Sequence, residues 1–428
     1  MRIGVVPNLD RGGGGIYQYA VTLVSVMPEV LTSRDDLTVF LYGGESLPPD
    51  LANAGYRCVE MRSARGFLGG VWYRLSSALP SAAVRKIRRA LGRKDDPSAI
   101  GAMQESASPA SLVDPGWRVF FEREGIDLLV FTTDVDFAYR TGVPFVVAVH
   151  DIQHRLQPEF PEVSADGEWE RREFRIGHCV RGAAGVLVDS EVGKEDIIEA
   201  YGIAENAVSI VPFVPANYLQ QEVSAGQIAR VRERYQLPQK FLFYPAAFWP
   251  HKNHLRMVEA IAELRRIGVD APLVLSGPSG GPQLRRETFA EVIAAAATLG
   301  VGDLVTYLGY VEDDAMSALY AGATALVMPT FFGPTNIPVV EAFRYGCPVI
   351  TSDIRGIREQ VGDAALLVDP RSVSAIAAGM RSVLEDTDLV ERLRLAGYRH
   401  LRTYSLEDYK RCVADALARA MARIGQGD

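Results

Sequence analysis

The chain has 428 residues, 48% of them hydrophobic and 23% charged, with a formal net charge of −8 at pH 7. This length predicts two domains, the composition is typical of a soluble globular enzyme, and the negative charge argues against a general nucleic-acid binder. No apolar run approaches the roughly 20 residues that span a bilayer, and we expect no signal peptide. The four cysteines are scattered, which favours reduced thiols in a cytosolic protein over disulfides or a zinc site.

Short β-branched runs alternate with helical patterns along the first half of the chain. The predicted strands are, in chain order, "RIGVVP", "LTVFLYG", "DLLVFTT", "PFVVAVH", "GVLVDS" and "VSIVPF". Such βαβ alternation predicts a parallel sheet covered by helices. The irregular segment "VPANYLQQEVSAG" follows, so we place the end of a first domain, residues 1–217, within it.

A second series of strands and helices begins at "KFLFYPAAF". Its further strands are predicted in "APLVLSG", "LVTYLGY", "TALVMP", "CPVITSD" and "AALLVDP". The predicted fold is therefore α/β, with two doubly wound Rossmann-like domains, residues 1–217 and 218–405, facing each other across a cleft. Doubly wound sheets bind ligands outside the carboxyl ends of their strands, so we expect a shared ligand in that cleft.

A long insertion at about residues 62–117 interrupts the first series. Its middle, "WYRLSSALPSAAVRKIRRALGRK", carries seven basic residues and no acidic one, with apolar residues on one helical face. One interpretation is a helix that rests on an anionic membrane surface near a lipid-linked substrate. The other is an ordinary solvated helix packed on its own domain, and the sequence leaves both open.

Four consecutive glycines, Gly12 to Gly15, stand between the first strand and the first helix. Glycine lets backbone N–H groups approach a ligand closely, and a helix N-terminus favours anions, so a diphosphate is the expected ligand. A nicotinamide cofactor is the rival. Its G-x-G-x-x-G spacing would need a small residue at Tyr17, and the next strand ends in "LYGG" without an acidic residue for a ribose.

Polar side chains follow two further strands of the first half. His150 and Asp151 come directly after "VVAV", where His150 can bind a substrate hydroxyl or phosphate, or instead fix the backbone of its loop. Asp134 and Asp136 follow another strand as an acid-x-acid pair that can hold a divalent metal. Because the pair lies opposite the expected nucleotide site, we interpret it as acceptor-side or structural and predict no metal site.

The loop "FYPAAFWPHKNHLRM" places Lys252 and Asn253 between a strand and a helix, with His251 and His254 on either side. A lysine at a helix N-terminus is a poor match for the helix dipole, so an anion nearby would offset it. Phosphate is the simplest candidate, and a solvated surface lysine is the alternative.

The stretch "FFGPTNIPVVEAFRYGCPV" begins after the strand "TALVMP" and continues into a helix. Thr335 and Asn336 stand at the helix N-terminus, where backbone amides face a ligand and asparagine is a good cap. Glu341, on the first turns, can accept hydrogen bonds from both hydroxyls of a ribose, or merely suit the helix dipole. Two other strand ends could contact a nucleobase or be plain turns: "LVLSGPSGG" with Gly277, and "TYLGYVEDD" with Tyr310 and Val311.

Together these stretches resemble the retaining glycosyltransferases of family 4, the glycosyl transferases group 1 type with the GT-B fold. The resemblance covers nearly the whole chain and is most specific between Phe241 and Pro370. It rests on the glycine loop and on "VVAVHD", "DSEVGKEDI", "HKNH", "NIPVVEAF", "GCPVITSD" and "EQVGDAALLVDP". "TYSLEDYKRCVADAL" also resembles the closing helix of the family, which implies that residues 406–428 return to the N-terminal domain.

The resemblance implies transfer of a sugar from a nucleotide-diphosphate sugar to an acceptor, with retained configuration and without metal or cofactor. The acceptor would bind the first domain and the donor the second. Catalytic roles are implied for His150 on the donor sugar, Lys252 on the diphosphate and Glu341 on the ribose. Further substrate contacts are expected at Gly14 and Gly15, at Asp151, at His251 and Asn253, at Gly277, at Tyr310 and Val311 around the base, and at Thr335, Asn336 and Ile337, the last two through backbone N–H groups.

The chain departs from the family pattern at two places. "GPTNIP" stands where "EGFGLP" is common, so Gly333 replaces the first glutamate of E-x7-E. Either Thr335 or Asn336 substitutes for that carboxylate, or the sugar differs. "PAAFWP" also lacks the arginine that many members carry before the lysine loop, so we expect His251 to assist.

The acceptor we expect is a lipid-linked oligosaccharide or other glycan in cell-envelope polysaccharide synthesis. The protein would then be cytoplasmic or peripheral on the inner face of the membrane. Two alternatives stay open: a non-catalytic nucleotide-sugar-binding subunit of the same fold, and a sugar-nucleotide epimerase. The sequence does not distinguish UDP, GDP and dTDP as the nucleotide.

Overall fold

The computed structural model describes residues 1–10, 14–31, 36–42, 45–52, 54–61, 112–215 and 222–426. The basic segment of the insertion lies outside these residues, so both interpretations of it stay predictions. The chain divides into two compact units. Unit 1 comprises Met1–Asp189, Gly193–Val211 and Lys410–Asp428, and unit 2 comprises Ser190–Val192 and Pro212–Tyr409.

Each unit is built on one parallel sheet. The strands of the first sheet are β1 (Ile3–Val6), β2 (Leu37–Tyr42), β3 (Arg57–Met61), β4 (Leu128–Phe131), β5 (Phe145–Ala148), β6 (Gly185–Val188) and β7 (Val208–Ile210). Those of the second are β8 (Leu242–Pro245), β9 (Leu273–Ser276), β10 (Val305–Tyr307), β11 (Ala325–Met328), β12 (Val349–Ser352) and β13 (Ala365–Val368).

Helices connect the strands throughout the described chain. They are α1 (Gly15–Val30), α2 (Pro49–Ala52), α3 (Pro115–Glu124), α4 (Gln153–Leu156), α5 (Pro161–Ser164), α6 (Glu168–Gly182), α7 (Glu191–Tyr201), α8 (Ala225–Arg234), α9 (His254–Arg266), α10 (Gln283–Thr298), α11 (Asp313–Gly322), α12 (Ile337–Arg344), α13 (Ile357–Val361), α14 (Val373–Glu385), α15 (Thr387–Leu401) and α16 (Leu406–Gln426). No helix in the described ranges is long and apolar enough to cross a bilayer.

The strand order reverses once in each sheet. It is β3-β2-β1-β4-β5-β6-β7 in unit 1 and β10-β9-β8-β11-β12-β13 in unit 2. The prediction of two doubly wound α/β domains is therefore confirmed. Since ligands of such sheets bind where the strand order reverses, the loops after β1 and β4 in unit 1, and after β8 and β11 in unit 2, are the places to search for a site.

From Lys410 onward, the closing helix α16 belongs to unit 1 and carries one apolar stripe. The stripe recurs at helical spacing and consists of Val413, Ala416, Leu417 and Ala420, all buried. At the helix ends, Lys410 forms an ion pair with Glu29 at 2.5 Å and Arg423 donates to the Ala184 carbonyl at 3.1 Å. Both partners belong to unit 1.

Candidate active site

The lysine loop of unit 2 is anchored to the strand that precedes it. After β8, a 3₁₀ turn at Pro250–Lys252 leads to Asn253, whose backbone is left-handed with φ 62°, and α9 begins at His254. The Tyr244 hydroxyl donates to the Lys252 carbonyl at 3.0 Å. The backbone of Lys252 is thus fixed at the carboxyl end of β8, while its half-buried side chain takes no part in that anchor.

Asn253 joins three strand ends. Its side chain is 3% exposed, and its Nδ2 donates to the Pro329 carbonyl at 2.7 Å and to the Pro370 carbonyl at 2.8 Å, just past β11 and β13. Both amide hydrogens are therefore used within the protein. A buried amide bonded to two carbonyls holds the lysine loop in place, and the predicted substrate contact of Asn253 stays a prediction.

Replacing Asn253 with glycine should destabilise the protein by about 1–3 kcal/mol, because two buried carbonyls lose their donor. Glycine keeps the left-handed backbone accessible, so the change isolates the side chain. Urea denaturation measures the effect. Gln283→Ala, which removes an exposed side chain bonded to Glu287 in the same unit, is the control and should change little. An unchanged midpoint for Asn253→Gly would contradict this role.

The two histidines beside Lys252 differ in environment. The His251 carbonyl accepts from the Phe331 N–H at 2.8 Å and from the Thr330 hydroxyl at 3.1 Å, which joins the loop after β8 to the loop after β11. His254 is 2% exposed and stacks on Phe248 with ring centroids 4.3 Å apart. Burial, followed by the nearby Lys252 and His251 charges, lowers the pKa of His254 to about 3. The His254 ring is therefore neutral at pH 7.

The loop before α12 is held by two side-chain amides. Gln360 Oε1 accepts from the Asn336 N–H at 2.9 Å, and Gln360 Nε2 donates to the Asn336 carbonyl at 2.8 Å. Asn336 Nδ2 donates to the Gly333 carbonyl at 2.9 Å instead of capping the helix. One expectation is corrected: the Asn336 side chain is not the helix cap. The Asn336 N–H donates to Gln360, and its predicted contact with the donor stays a prediction.

The neighbours of Asn336 are also largely enclosed. Ile337, the first residue of α12, is 8% exposed. The Thr335 Oγ1 atom is buried and has no hydrogen-bond partner in the part of the chain that the structure describes. The predicted substrate contacts of Thr335 and Ile337 stay predictions.

Glu341 is a buried hydrogen-bond acceptor within α12. It is 5% exposed, and its Oε2 accepts from the Tyr320 hydroxyl at 2.7 Å. Tyr320 in turn stacks on Tyr345, whose hydroxyl donates to Ser317 Oγ at 3.0 Å. A carboxylate has about four lone-pair directions, and Tyr320 uses one of them. The predicted ribose contact of Glu341 stays a prediction.

At the strand ends predicted to contact a nucleobase, the backbone groups of Gly277 are bonded within the protein and Val311 is buried. Gly277 has φ 125°, and a Cβ atom there would lie 2.7 Å from the Ala246 carbonyl oxygen, so the close approach requires glycine. Its N–H donates to the Gly309 carbonyl and its carbonyl accepts from Tyr307, so both backbone groups are used within the protein. Val311 is buried in the core, whereas Tyr310 is 54% exposed. Of these predicted base contacts, the Tyr310 ring alone is presented outward.

Two arginines missed by the sequence interpretation surround Phe331. The guanidinium carbons of Arg256 and Arg371 lie 5.1 and 6.0 Å from the centre of the Phe331 ring. Among the residues that the structure describes, neither guanidinium group is paired with a carboxylate. Arg256 also donates to Asn253 Oδ1 at 3.4 Å. No local sequence pattern indicates this cluster, because Arg256, Phe331 and Arg371 are distant along the chain and meet only in the folded unit.

In unit 1, His150 follows β5, and its ring reaches the loop after β4, next to the point where the strand order reverses. Its Nε2 is 3.0 Å from the Thr132 carbonyl, just past β4, and because a carbonyl only accepts, Nε2 carries the proton. Tyr19 packs edge-on against the ring at 4.7 Å. Thr132 Oγ1 accepts from the Asn8 N–H after β1. His150 thus fixes its loop, and its predicted contact with substrate stays a prediction.

The remaining predicted residues of unit 1 are Gly14, Gly15 and Asp151. Gly14 has φ 56° and precedes α1, which Gly15 begins. Asp151 Oδ1 accepts from the Gln153 N–H at 2.9 Å and lies 3.7 Å from Arg172. The side chain of Asp151 therefore supports the start of α4, which is a different use from the predicted substrate contact.

Acidic side chains of unit 1 are paired with arginine. Asp134 Oδ2 lies 2.5 Å from Arg175 Nε, which supports the structural reading of the Asp134–Asp136 pair. Glu173 binds the buried His154 and also Arg155. Burial alone would raise the pKa of Glu173, but these hydrogen bonds and charges outweigh it and hold the pKa at about 2. No group of three or more metal-ligating side chains is found within the described ranges.

Comparison with known proteins gives three further findings. Residues 227–400 match the family model described as glycosyl transferases group 1. The chain is 27% identical over 266 residues to the O-antigen chain mannosyltransferase B of Escherichia coli, covering 61% of this chain and 67% of that protein. It is 26% identical over 258 residues to the 2-deoxystreptamine glucosyltransferase of Streptomyces kanamyceticus, covering 57% and 62%. The chain thus spans about two thirds of the length of these relatives.

Among solved structures, the chain is similar to Anabaena Alr3699/HepE in complex with UDP and glucose. The TM-score is 0.71 at 16% identity, and the alignment covers 98% of this chain and 99% of that one. This similarity extends over both units and concerns the fold.

Proposed function

Because the chain has the GT-B fold and residues 227–400 belong to the glycosyl transferases group 1 family, a family of sugar-transferring enzymes, we propose that it moves a sugar from a nucleotide-diphosphate sugar to an acceptor hydroxyl. The observation that carries this proposal is the position of Lys252. Its turn is held at the carboxyl end of β8, beside β11, where the strand order of unit 2 reverses. A cation at that place suits a diphosphate.

Two arginines of unit 2 and the names of similar proteins support a nucleotide-sugar donor. Arg256 and Arg371 add two guanidinium groups that have no carboxylate partner in the described part of the unit. Both lie beside the ring of Phe331, whose N–H donates to the His251 carbonyl of the lysine loop. The name of the Escherichia coli relative specifies mannosyl transfer in O-antigen synthesis, and the Anabaena structure contains UDP and glucose. We propose a hexosyl donor and a glycan or lipid-linked acceptor in polysaccharide synthesis, with peripheral contact to an anionic membrane.

In the proposed mechanism, the leaving group is a nucleoside diphosphate and the configuration is retained without metal. The bond between the anomeric carbon and the diphosphate oxygen breaks, and the acceptor oxygen bonds to the same face of that carbon. The acceptor proton passes to the departing diphosphate. Lys252 stabilises the negative charge that develops on the leaving group, which is the kind of electrostatic help that preorganised groups supply. As the family resemblance implies, we assign His150 to the donor sugar and Gly14 and Gly15 to the donor diphosphate.

Thermal unfolding in the presence of nucleotide sugars tests this proposal. We expect at least one of the UDP-, GDP- and dTDP-sugars to raise the melting temperature, since a ligand that binds only the folded state stabilises it by about 2.7 kcal/mol at 100 times its Kd. The same ligand should then support transfer or slow hydrolysis. Binding without turnover would favour the non-catalytic binding subunit, which the Gly333 substitution makes the second candidate. The absence of any shift would contradict a donor site.

A further inference from the structure

Positions 333 and 336 compete for one space in the loop between β11 and α12. Gly333 has φ 123°, and a Cβ atom placed on it would lie 2.8 Å from Asn336 Oδ1 and 3.0 Å from Nδ2. The amide is held there by the bond from Nδ2 to the Gly333 carbonyl at 2.9 Å. A side chain at position 333 and the present position of the Asn336 amide therefore exclude each other.

This exclusion explains how the chain departs from the pattern "EGFGLP". That pattern has glutamate at the position of Gly333 and glycine at the position of Asn336, whereas this chain has "GPTNIP". The side chain and the glycine are thus exchanged between the two positions. In this chain, glycine at position 333 leaves room for the Asn336 side chain and also suits the backbone φ of 123°.

We propose that the Asn336 carboxamide takes the place of the missing glutamate and binds a hydroxyl group of the donor sugar. The inference rests on the proposed function and names a specificity-determining residue for it. Asn336 is 7% exposed, and within the described residues its Oδ1 accepts no hydrogen bond. This oxygen is also not one of the fully buried atoms that lack a partner, so a hydroxyl group of a ligand can reach it and donate to it. A neutral amide, which both donates and accepts, therefore replaces a charged group that only accepts.

Gln360 is the positioning residue of this arrangement. Its side-chain amide makes paired hydrogen bonds, at 2.9 and 2.8 Å, with the backbone N–H and carbonyl of Asn336. These bonds fix the backbone from which the carboxamide extends. Pro334 also lies close to Gly356, before α13: a Cβ atom on Gly356 would be 2.6 Å from the Pro334 Cβ, so this approach requires glycine at position 356. The loop is thus ordered against the α13 segment before any ligand arrives.

A double-mutant cycle tests the exclusion without any ligand. We expect Gly333→Glu to lower the melting temperature, and Gly333→Glu combined with Asn336→Gly to recover part of that loss, because removal of the amide makes room. If Gly333→Glu does not fold, Gly333→Ala replaces it. Gly302→Ala is the control, since Gly302 is exposed and a Cβ atom there would meet nothing closer than 3.9 Å. A double variant no more stable than the sum of the single changes would overturn the exclusion.

Calorimetric titration tests the sugar contact. For Asn336→Gly we expect unchanged affinity for the nucleoside diphosphate and roughly three- to tenfold weaker affinity for the nucleotide sugar, as for one lost neutral hydrogen bond. The double variant should also change the ranking of sugars that the wild-type protein accepts. Equal effects on both ligands, or none, would overturn the contact. A wild-type protein that binds neither would overturn the proposed function and the contact together, while the stability cycle would still decide the exclusion.

Discussion

Replacing Lys252 with alanine should lower the rate of sugar transfer on the order of 100-fold, the usual cost of removing one preorganised group that stabilises transition-state charge. The fold should persist, because Tyr244 anchors this turn through the Lys252 carbonyl, which alanine keeps. Steady-state kinetics with the donor identified by thermal shift provides the measurement.

Two companion variants make the Lys252 result interpretable. Lys240→Ala removes another lysine of unit 2, an exposed one that donates to the Leu384 carbonyl at 3.4 Å, and should leave turnover unchanged. Lys252→Arg keeps the charge and should retain more activity than alanine, although the guanidinium geometry differs. Near-normal turnover of Lys252→Ala would remove the basis for placing the diphosphate here.

Replacing Glu341 with alanine should abolish most activity by weakening nucleotide binding. If its carboxylate binds ribose hydroxyls, each lost charged hydrogen bond costs about 1.5–3 kcal/mol, or roughly 10- to 100-fold in affinity. The loss should appear for a nucleoside diphosphate and be absent for inorganic pyrophosphate, which has no ribose. Calorimetry with both ligands makes that comparison.

The stability of Glu341→Ala requires a separate control, because the change also leaves the Tyr320 hydroxyl without its acceptor. Tyr320→Phe removes the same hydrogen bond but keeps the carboxylate. We expect Tyr320→Phe to lower the melting temperature while nucleotide affinity stays close to that of the wild-type protein. If Tyr320→Phe and Glu341→Ala weaken nucleotide binding equally, Glu341 acts by supporting the fold and the ribose contact is wrong.

The fold could be predicted because its signals are local. The runs "LLVF" and "ALVM" are fully buried strands of parallel sheets, and such strands carry continuous apolar residues instead of alternating ones. The position of Lys252 also followed from a local rule, since a loop after a buried parallel strand lies at the edge where ligands bind. Neither inference needed knowledge of distant contacts.

The details of the site could not be predicted because distant contacts determine them. Asn253 resembles a substrate-binding residue in sequence, yet its amide bonds to carbonyls at positions 329 and 370. The Asn336 N–H is engaged by Gln360, which no local pattern indicates. A polar residue at a strand end is therefore as able to hold the loops together as to bind a ligand, and only the folded unit distinguishes the two uses.

The most direct test is a crystal structure of the chain soaked with the nucleoside diphosphate that gives the largest thermal shift. We expect an ordered diphosphate at the carboxyl edge of the unit 2 sheet, with a phosphate oxygen about 2.7–2.9 Å from Lys252 Nζ, the usual length of a charge-assisted hydrogen bond. An ordered nucleotide bound elsewhere, without contact to Lys252, would contradict it.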